Sequence, residues 1–375
     1  MQVEYVHCTI EHHCKHDCNL NWPKTLKQLT VFVSHSGDIE LVRNSFHNQP
    51  DLTSLTLYDS SWENPPPDGQ IWQQIITKSM PNLQKFDFCF KFWKDFNISS
   101  DISLVVSTFS SEFYLKEKSW FVQCDSHYQQ LSVAMLYSLP FVFERFDIIT
   151  HSFNESLSTD KQSQIQRPYD KVTTISIDVN CKQITDKLSS INITNLSLKL
   201  IGNPMDWIYS LTHLRQLSLG NHLNMSPQQF LCLLQNTRYL NQLNISYSIL
   251  QRITYNWRSK IICNLLTQRI HSLTIPSDSS NEDYIKVDEL VHIVRVFYER
   301  CRYLNLAVRS RNLVAGFILR KMNQLRSLTV RLKEHGPNLM ITRQWLNQQN
   351  KFYEKLNYSL LADENLYSFW FGCRR

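Results

Sequence analysis

One arrangement of apolar and polar positions recurs along the chain: an apolar residue, two others, an apolar residue, one other, and an apolar residue. It appears as Leu26/Leu29/Val31, Leu52/Leu55/Leu57 and Leu83/Phe86/Phe88, then as Phe143/Phe146/Ile148, Val172/Ile175/Ile177 and Ile193/Leu196/Leu198. Leu214/Leu217/Leu219 is the clearest copy. Leu240/Leu243/Ile245, Ile270/Leu273/Ile275, Cys301/Leu304/Leu306, Leu325/Leu328/Val330 and Leu366/Phe369/Phe371 follow it. The last two apolar residues of each triplet are two apart, so in a strand they share one face, while the residues between them turn outward. Those outward residues are polar in the best copies, as with Gln216 and Ser218, or Ser327 and Thr329. A lone strand of this kind cannot bury its apolar face, and the pattern therefore calls for many strands side by side.

Segments with helical spacing lie between the triplets. Ser226 suits an N-cap, Pro227 the first helical position, and Gln229 completes a capping box. Asp38 to Arg43 reads as another helix start, Val287 to Arg300 carries Leu290, Val291, Val294 and Phe297 at helical spacing, and Leu313 to Leu319 is a further candidate. Triplets recur at 21 residues (Ile193 to Leu214), 26 (Leu214 to Leu240) and 30 (Leu240 to Ile270). That is close to the ~20–29 residues of a leucine-rich repeat. The interval of 60 from Leu83 to Phe143 should hide a degenerate copy near Trp120-Phe121-Val122, and the 41 from Leu325 to Leu366 leaves room for a helix around Met340 to Leu356. The expected fold is α/β: a leucine-rich-repeat solenoid, or horseshoe, with parallel strands on its concave face and helices on its convex face. Residues 1–25 would be a His/Cys-rich cap or loop and residues 26–375 the irregular solenoid. A regular repeat places Asn or Cys three residues beyond the triplet; Asn180 fits, whereas Ser60, His151, His222, Ser248 and Asp278 stand there in other copies.

The stretch from Leu20 to Val31 (LNWPKTLKQLTV), with Met80-Pro81-Asn82-Leu83 and Met322-Asn323-Gln324-Leu325, resembles the repeat region of F-box/leucine-rich-repeat-like proteins. In that family an N-terminal F-box docks on the Skp1-type adaptor of a ubiquitin ligase and the repeats hold the substrate. The resemblance implies a substrate-type recognition surface. It does not extend to the F-box: the first triplet begins at Leu26, and the segment before it is short and rich in His and Cys, so a Skp1-type adaptor is not an expected partner.

Composition narrows the function. With only 7 glycines in 375 residues, glycine-rich phosphate loops are not expected. Neither Gly-x-Ser-x-Gly nor His-Glu-x-x-His occurs, so no catalytic residues, enzyme activity or cofactor are expected. The formal net charge of +6 is a mild bias over this length, which makes a nucleic-acid-binding repeat protein the alternative and protein binding the expectation. Arg300, Arg302, Arg309, Arg311, Arg320, Lys321, Arg326 and Arg331 are the residues behind that alternative, and on this pattern they are spread over strands and helices. His7, Cys8, His12, His13, Cys14, His16 and Cys18 have the chemistry of zinc ligands but are interleaved, with no Cys-x2-Cys pair to stand beside a His-x3-His pair, so no metal is expected. Met1 to Tyr5 shows no export signal and no apolar run reaches the ~20 residues of a membrane span, so a cytoplasmic or nuclear chain with reduced thiols, away from membranes, is expected.

The binding residues expected on the concave face are the outward strand positions. They are Lys85, Asp87, Arg145, Asp147 and Asp178 in the first half, and Lys199, Tyr303, Asn305, Ser327, Thr329 and Arg331 in the second. Tyr303 and Arg331 are the residue types enriched where partners bind most tightly.

Overall fold

The computed structural model describes residues 3–10, 20–33, 39–59, 66–93, 102–126, 133–148, 155–161, 169–177, 192–198, 206–221, 223–276, 284–333, 340–349, 358–363 and 366–371. They form two compact units, one of Met1–Glu144, Ile149–Val172 and Cys181–Leu188, the other of Arg145–Ile148, Thr173–Asn180 and Ser189–Arg375.

In the first unit, β1 (Tyr5–Ile10), β2 (Gln28–Val33), β3 (Ser54–Asp59) and β4 (Lys85–Trp93) pair in parallel. β5 (Phe121–Ser126) and β6 (Val133–Leu139) then form an antiparallel pair, and β6 lies antiparallel on β4. The next strand, β7 (Arg145–Ile148), belongs to the second unit, whereas β8 (Glu155–Ser158) returns to lie antiparallel on β5. The seven strands thus run in the order β1-β2-β3-β4-β6-β5-β8.

Alternation builds the core on one face of this sheet. Phe86, Phe88, Phe90 and Phe92 all point inward from β4, with Leu29, Val31, Leu55 and Leu57 from the neighbouring strands. They pack with Trp72 and Ile76 of α2 (Gly69–Ser79), with Val42 of α1 (Ile39–Asn44) and with Val105 of α3 (Ile102–Thr108). The Trp72 ring lies 5.3 Å from Phe86, and Phe88 lies 5.5 Å from Phe109. Part of the opposite face is also covered: Asp87, Cys89, Lys91, Met135, Tyr137 and Asp125 point outward yet are buried. Phe141 and Tyr169 lie against Tyr137, and Phe143 meets Tyr58 edge-on at 5.1 Å.

The second unit holds a ten-stranded sheet. β7 is followed by β9 (Thr174–Ile177), β10 (Asn195–Leu198), β11 (Gln216–Leu219), β12 (Gln242–Ile245), β13 (Ser272–Ile275), β14 (Tyr303–Val308) and β15 (Ser327–Leu332), all parallel. β17 (Leu366–Phe371) then pairs antiparallel with β15, and β16 (Tyr358–Asp363) antiparallel with β17 at the sheet's edge. Leu196, Leu217, Leu243, Leu273, Leu304, Leu328 and Phe369 fall opposite one another and are all buried. Helices α4 (Pro227–Asn236), α5 (Tyr247–Ile253), α6 (Lys260–Arg269) and α7 (Val287–Phe297) lie between these strands in sequence, and their apolar faces are buried through Phe230, Leu250, Leu266 and Leu290 among others. α8 (Arg311–Leu313) runs on into a π-helical turn, Val314–Leu319, and α9 (Arg343–Gln349) precedes β16.

The α/β character and the strand at most triplets are as expected, but the leucine-rich-repeat horseshoe is not what forms. Two sheets replace the single solenoid, and their strand order departs from a repeat stack. The degenerate copy sought near Trp120-Phe121-Val122 is a hairpin strand running against its neighbours, and the last triplet, Leu366/Phe369/Phe371, reverses direction as well. The physical reason is that alternation states which side chains share a face but not which way the neighbouring strand runs. Within the helices, Val291 is exposed and Ile293 is buried, one step round from the expected stripe of α7. Among the positions three residues beyond the triplets, Ser60, His151, Asn180, His222 and Asp278 lie outside the described residues, and Ser248 sits in α5.

Candidate functional site

The register of the ten-stranded sheet decides where its outward side chains meet. Adjacent strands pair residue for residue, so the outward positions fall into rows that cross the strands. One row runs Arg145, Thr174, Asn195, Gln216, Gln242, Ser272, Tyr303, Ser327, Trp370 and Ser359. The next runs Asp147, Ser176, Ser197, Ser218, Asn244, Thr274, Asn305, Thr329, Ser368 and Leu361. Neighbouring positions are about 4.8 Å apart. Some are joined, as where the Asn195 Nδ2 donates to Thr174 Oγ1 at 3.0 Å. Others are not: Asn244 Oδ1 is shielded from solvent and has no hydrogen-bond partner among the described residues.

The face is amide- and hydroxyl-rich over most of its width and becomes amphipathic at one side. There Tyr303 and Trp370 are each 46% exposed, with Ser327 between them, and Leu361 is 61% exposed in the next row. Large, exposed aromatic side chains on a rigid sheet bring contact area at little cost in side-chain freedom.

Of the residues expected from sequence, Tyr303, Asn305, Ser327, Thr329 and Arg331 come together on β14 and β15. Arg145 and Asp147 lie on β7, at the far edge of the same sheet. Lys85 and Asp87 lie on β4 of the other unit, where the Lys85 ammonium is 2.6 Å from Asp87 Oδ2. Burial raises the Asp87 carboxyl above its ordinary range, against the opposing pull of Lys85. Asp178 and Lys199 lie outside the described residues.

Sequence reasoning missed Trp370 and Leu361 because it treated the last triplet only as an array end. It also missed a line at the strand entrances, formed by the residue after the first apolar residue of successive triplets: Arg215, Asn241, His271, Arg302 and Arg326, of which the three arginines are exposed. The signal was present, since these positions recur with the triplets. Arg302 and Arg326, taken as scattered, stand side by side at the entrances of adjacent strands.

Two other polar features have different characters. In the first unit, Tyr137 donates to Asp125 Oδ2 at 2.6 Å and shares a hydrogen bond with Tyr169 at 2.7 Å, while Ser156 donates to Asp125 Oδ1 at 2.6 Å. Burial, then the Asp125 carboxylate, push both phenols up. Tyr137 and Asp125 are almost wholly shielded, so this network anchors the segment bearing Tyr169 instead of meeting a substrate. A cleft of about 850 Å³ between α2 and α3 is lined by Gln70, Gln73, Gln74, Thr77, Lys78 and the serines and threonine of 107–111, and the Ser111 hydroxyl crosses it to Gln73 Oε1 at 2.9 Å.

Among the candidate zinc ligands, His7 and Cys8 are in β1, where His7 stacks on Phe32 at 5.3 Å and burial pushes the Cys8 thiol up. His12, His13, Cys14, His16 and Cys18 lie outside the described residues, and among the described residues no group of three metal-binding side chains occurs. No helix among the described residues is long and apolar enough to cross a membrane.

No family model matches the chain, and a search of curated proteins returns no match either.

Proposed function

We propose that this chain is a protein-binding module whose partner docks on the outward face of the ten-stranded sheet, centred on Tyr303 and Trp370. One observation carries the reading: residue-for-residue pairing lines up the outward positions into continuous rows, with two exposed aromatic rings two strands apart, about 10 Å. Rows of short polar side chains fit a partner closely, and the aromatic pair supplies the apolar area from which most binding energy comes. The resemblance noted at Leu20 to Val31 adds the idea of substrate-type recognition, as in a ubiquitin-ligase receptor; adaptor binding forms no part of the proposal. A non-enzymatic role forms part of the proposal, as does a cytoplasmic or nuclear location, where thiols stay reduced as the cysteines among the described residues are.

The test is affinity purification with mass spectrometry on the wild-type chain and on Tyr303→Ala/Trp370→Ala. We expect a defined set of proteins to co-purify with the wild type and to be lost from the variant, with circular dichroism unchanged. Equal recovery on both would place the binding surface elsewhere.

A further inference from the structure

We propose that an acidic, extended polypeptide segment docks along the row of Arg215, Asn241, His271, Arg302 and Arg326, whose three arginines carry its positive charge, an assignment that rests on the protein-binding reading above and names the partner's chemistry. The backbone fixes the row. Asn241 N–H donates to the Arg215 carbonyl at 2.9 Å, His271 to Asn241 at 2.8 Å, Arg302 to His271 at 2.7 Å and Arg326 to Arg302 at 2.7 Å. Five consecutive strand entrances therefore carry these side chains in one line. Arg215, Arg302 and Arg326 are exposed.

Basic residues at helix ends often do no more than cap carbonyl groups, and some here do so. Arg269 donates to the Leu234 and Thr237 carbonyls, and Arg300 to the Gln268 carbonyl at 3.1 Å. Arg215, Arg302 and Arg326 are different: among the described residues no side-chain hydrogen bond or ion pair engages them. Glu299, one residue from Arg300, is taken up by the Tyr298 hydroxyl at 2.6 Å. Like charges on directly opposed positions of neighbouring strands repel. Arg302 beside Arg326 is such a pair, and an anion laid across the row relieves it.

A polypeptide is favoured over a nucleic acid because the row adjoins the proposed protein-binding face: Arg302 and Arg326 directly precede Tyr303, which is 46% exposed, and Ser327, so an acidic segment on the row can continue onto that face. Four strand spacings separate Arg215 from Arg326, about 19 Å, which an extended chain covers in about six residues.

The probe is a fluorescein-labelled peptide containing six consecutive glutamates, read by fluorescence anisotropy on the full chain. A six-lysine peptide and an unlabelled oligothymidylate serve as comparators. We expect the acidic peptide to bind, to weaken as salt rises, and to lose at least about tenfold in affinity in Arg302→Glu/Arg326→Glu, as removal of two exposed charge contacts implies. Arg302→Gln/Arg326→Gln should lose less, and Arg309→Glu, the same kind of charge change beyond the end of β14, should bind as the wild type does. An equal loss in Arg309→Glu would mean attraction by overall charge and overturn the assignment. Tighter binding of oligothymidylate, lost in the same double variants, would make the occupant a nucleic acid and overturn it too. If co-purifying proteins are lost in Tyr303→Ala/Trp370→Ala while the glutamate peptide never binds, the cationic row is not the site and the protein-binding reading stands.

Discussion

A β-carbon added at Gly69 would sit 2.5 Å from the Thr108 carbonyl oxygen, and the Gly69 N–H already donates to the Thr108 hydroxyl at 2.8 Å. The obstacle is backbone, so α2 and α3 would have to move apart. Gly69→Ala should cost about 1–3 kcal/mol in urea unfolding. Gly316 is the contrast, because a β-carbon there meets nothing within 4 Å; Gly316→Ala should be neutral or stabilise by up to about 1 kcal/mol. Tyr137→Phe tests the buried network: it strips a donor from Asp125 and a partner from Tyr169, and should cost about 1–3 kcal/mol. None of these three effects was legible in the sequence. Which glycine is tightly packed, and which outward polar residue is roofed over, depends on segments distant in the chain, such as that of Phe141 and Tyr169.

Local chemistry left a clearer trace in single elements. Ser226, Pro227 and Gln229 mark the start of α4, and the structure has that capping box: Gln229 N–H donates to Ser226 Oγ, and Ser226 N–H to Gln229 Oε1 at 2.8 Å. Ser226→Ala should lower stability by about 1 kcal/mol, and Ser226→Asp, which restores an acceptor, should recover most of it. The strands were legible for a similar reason, because alternation is written in the strand itself. Strand direction is not. Phe121 to Ser126 and Leu366 to Phe371 alternate as the parallel strands do, and only their partners make them antiparallel. The rows that form the candidate surface were legible in part. Tyr303 and Ser327 sit at equivalent triplet positions and so meet side by side, but Trp370 reaches the same row only because β17 is reversed.

For the whole molecule, the buried ionisable groups set a direction for pH dependence. Burial pushes the Cys301 thiol up to about 12, and it raises the phenols of Tyr114, Tyr137 and Tyr169 as well. The unfolded chain releases these protons first, near 9 for the thiol. The stability they confer is complete below that point and is lost as pH climbs toward the folded values, at up to about 1.4 kcal/mol per pH unit for each proton. Urea midpoints should be level from pH 7 to 8.5 and fall steadily above 9; a midpoint still level at pH 11 would mean these groups are open to water.

The unvarying register has a practical corollary. From Asn195 to Gln216 is 21 residues and from Ser272 to Tyr303 is 31, yet both pairs stand opposite each other with no offset. The linking stretches absorb every difference in length, while each strand tolerates none. A short foreign sequence, such as an epitope or a dye-labelling tag, can therefore be housed in a linker without disturbing the face, whereas one extra residue inside a strand would turn its polar side chains into the interior.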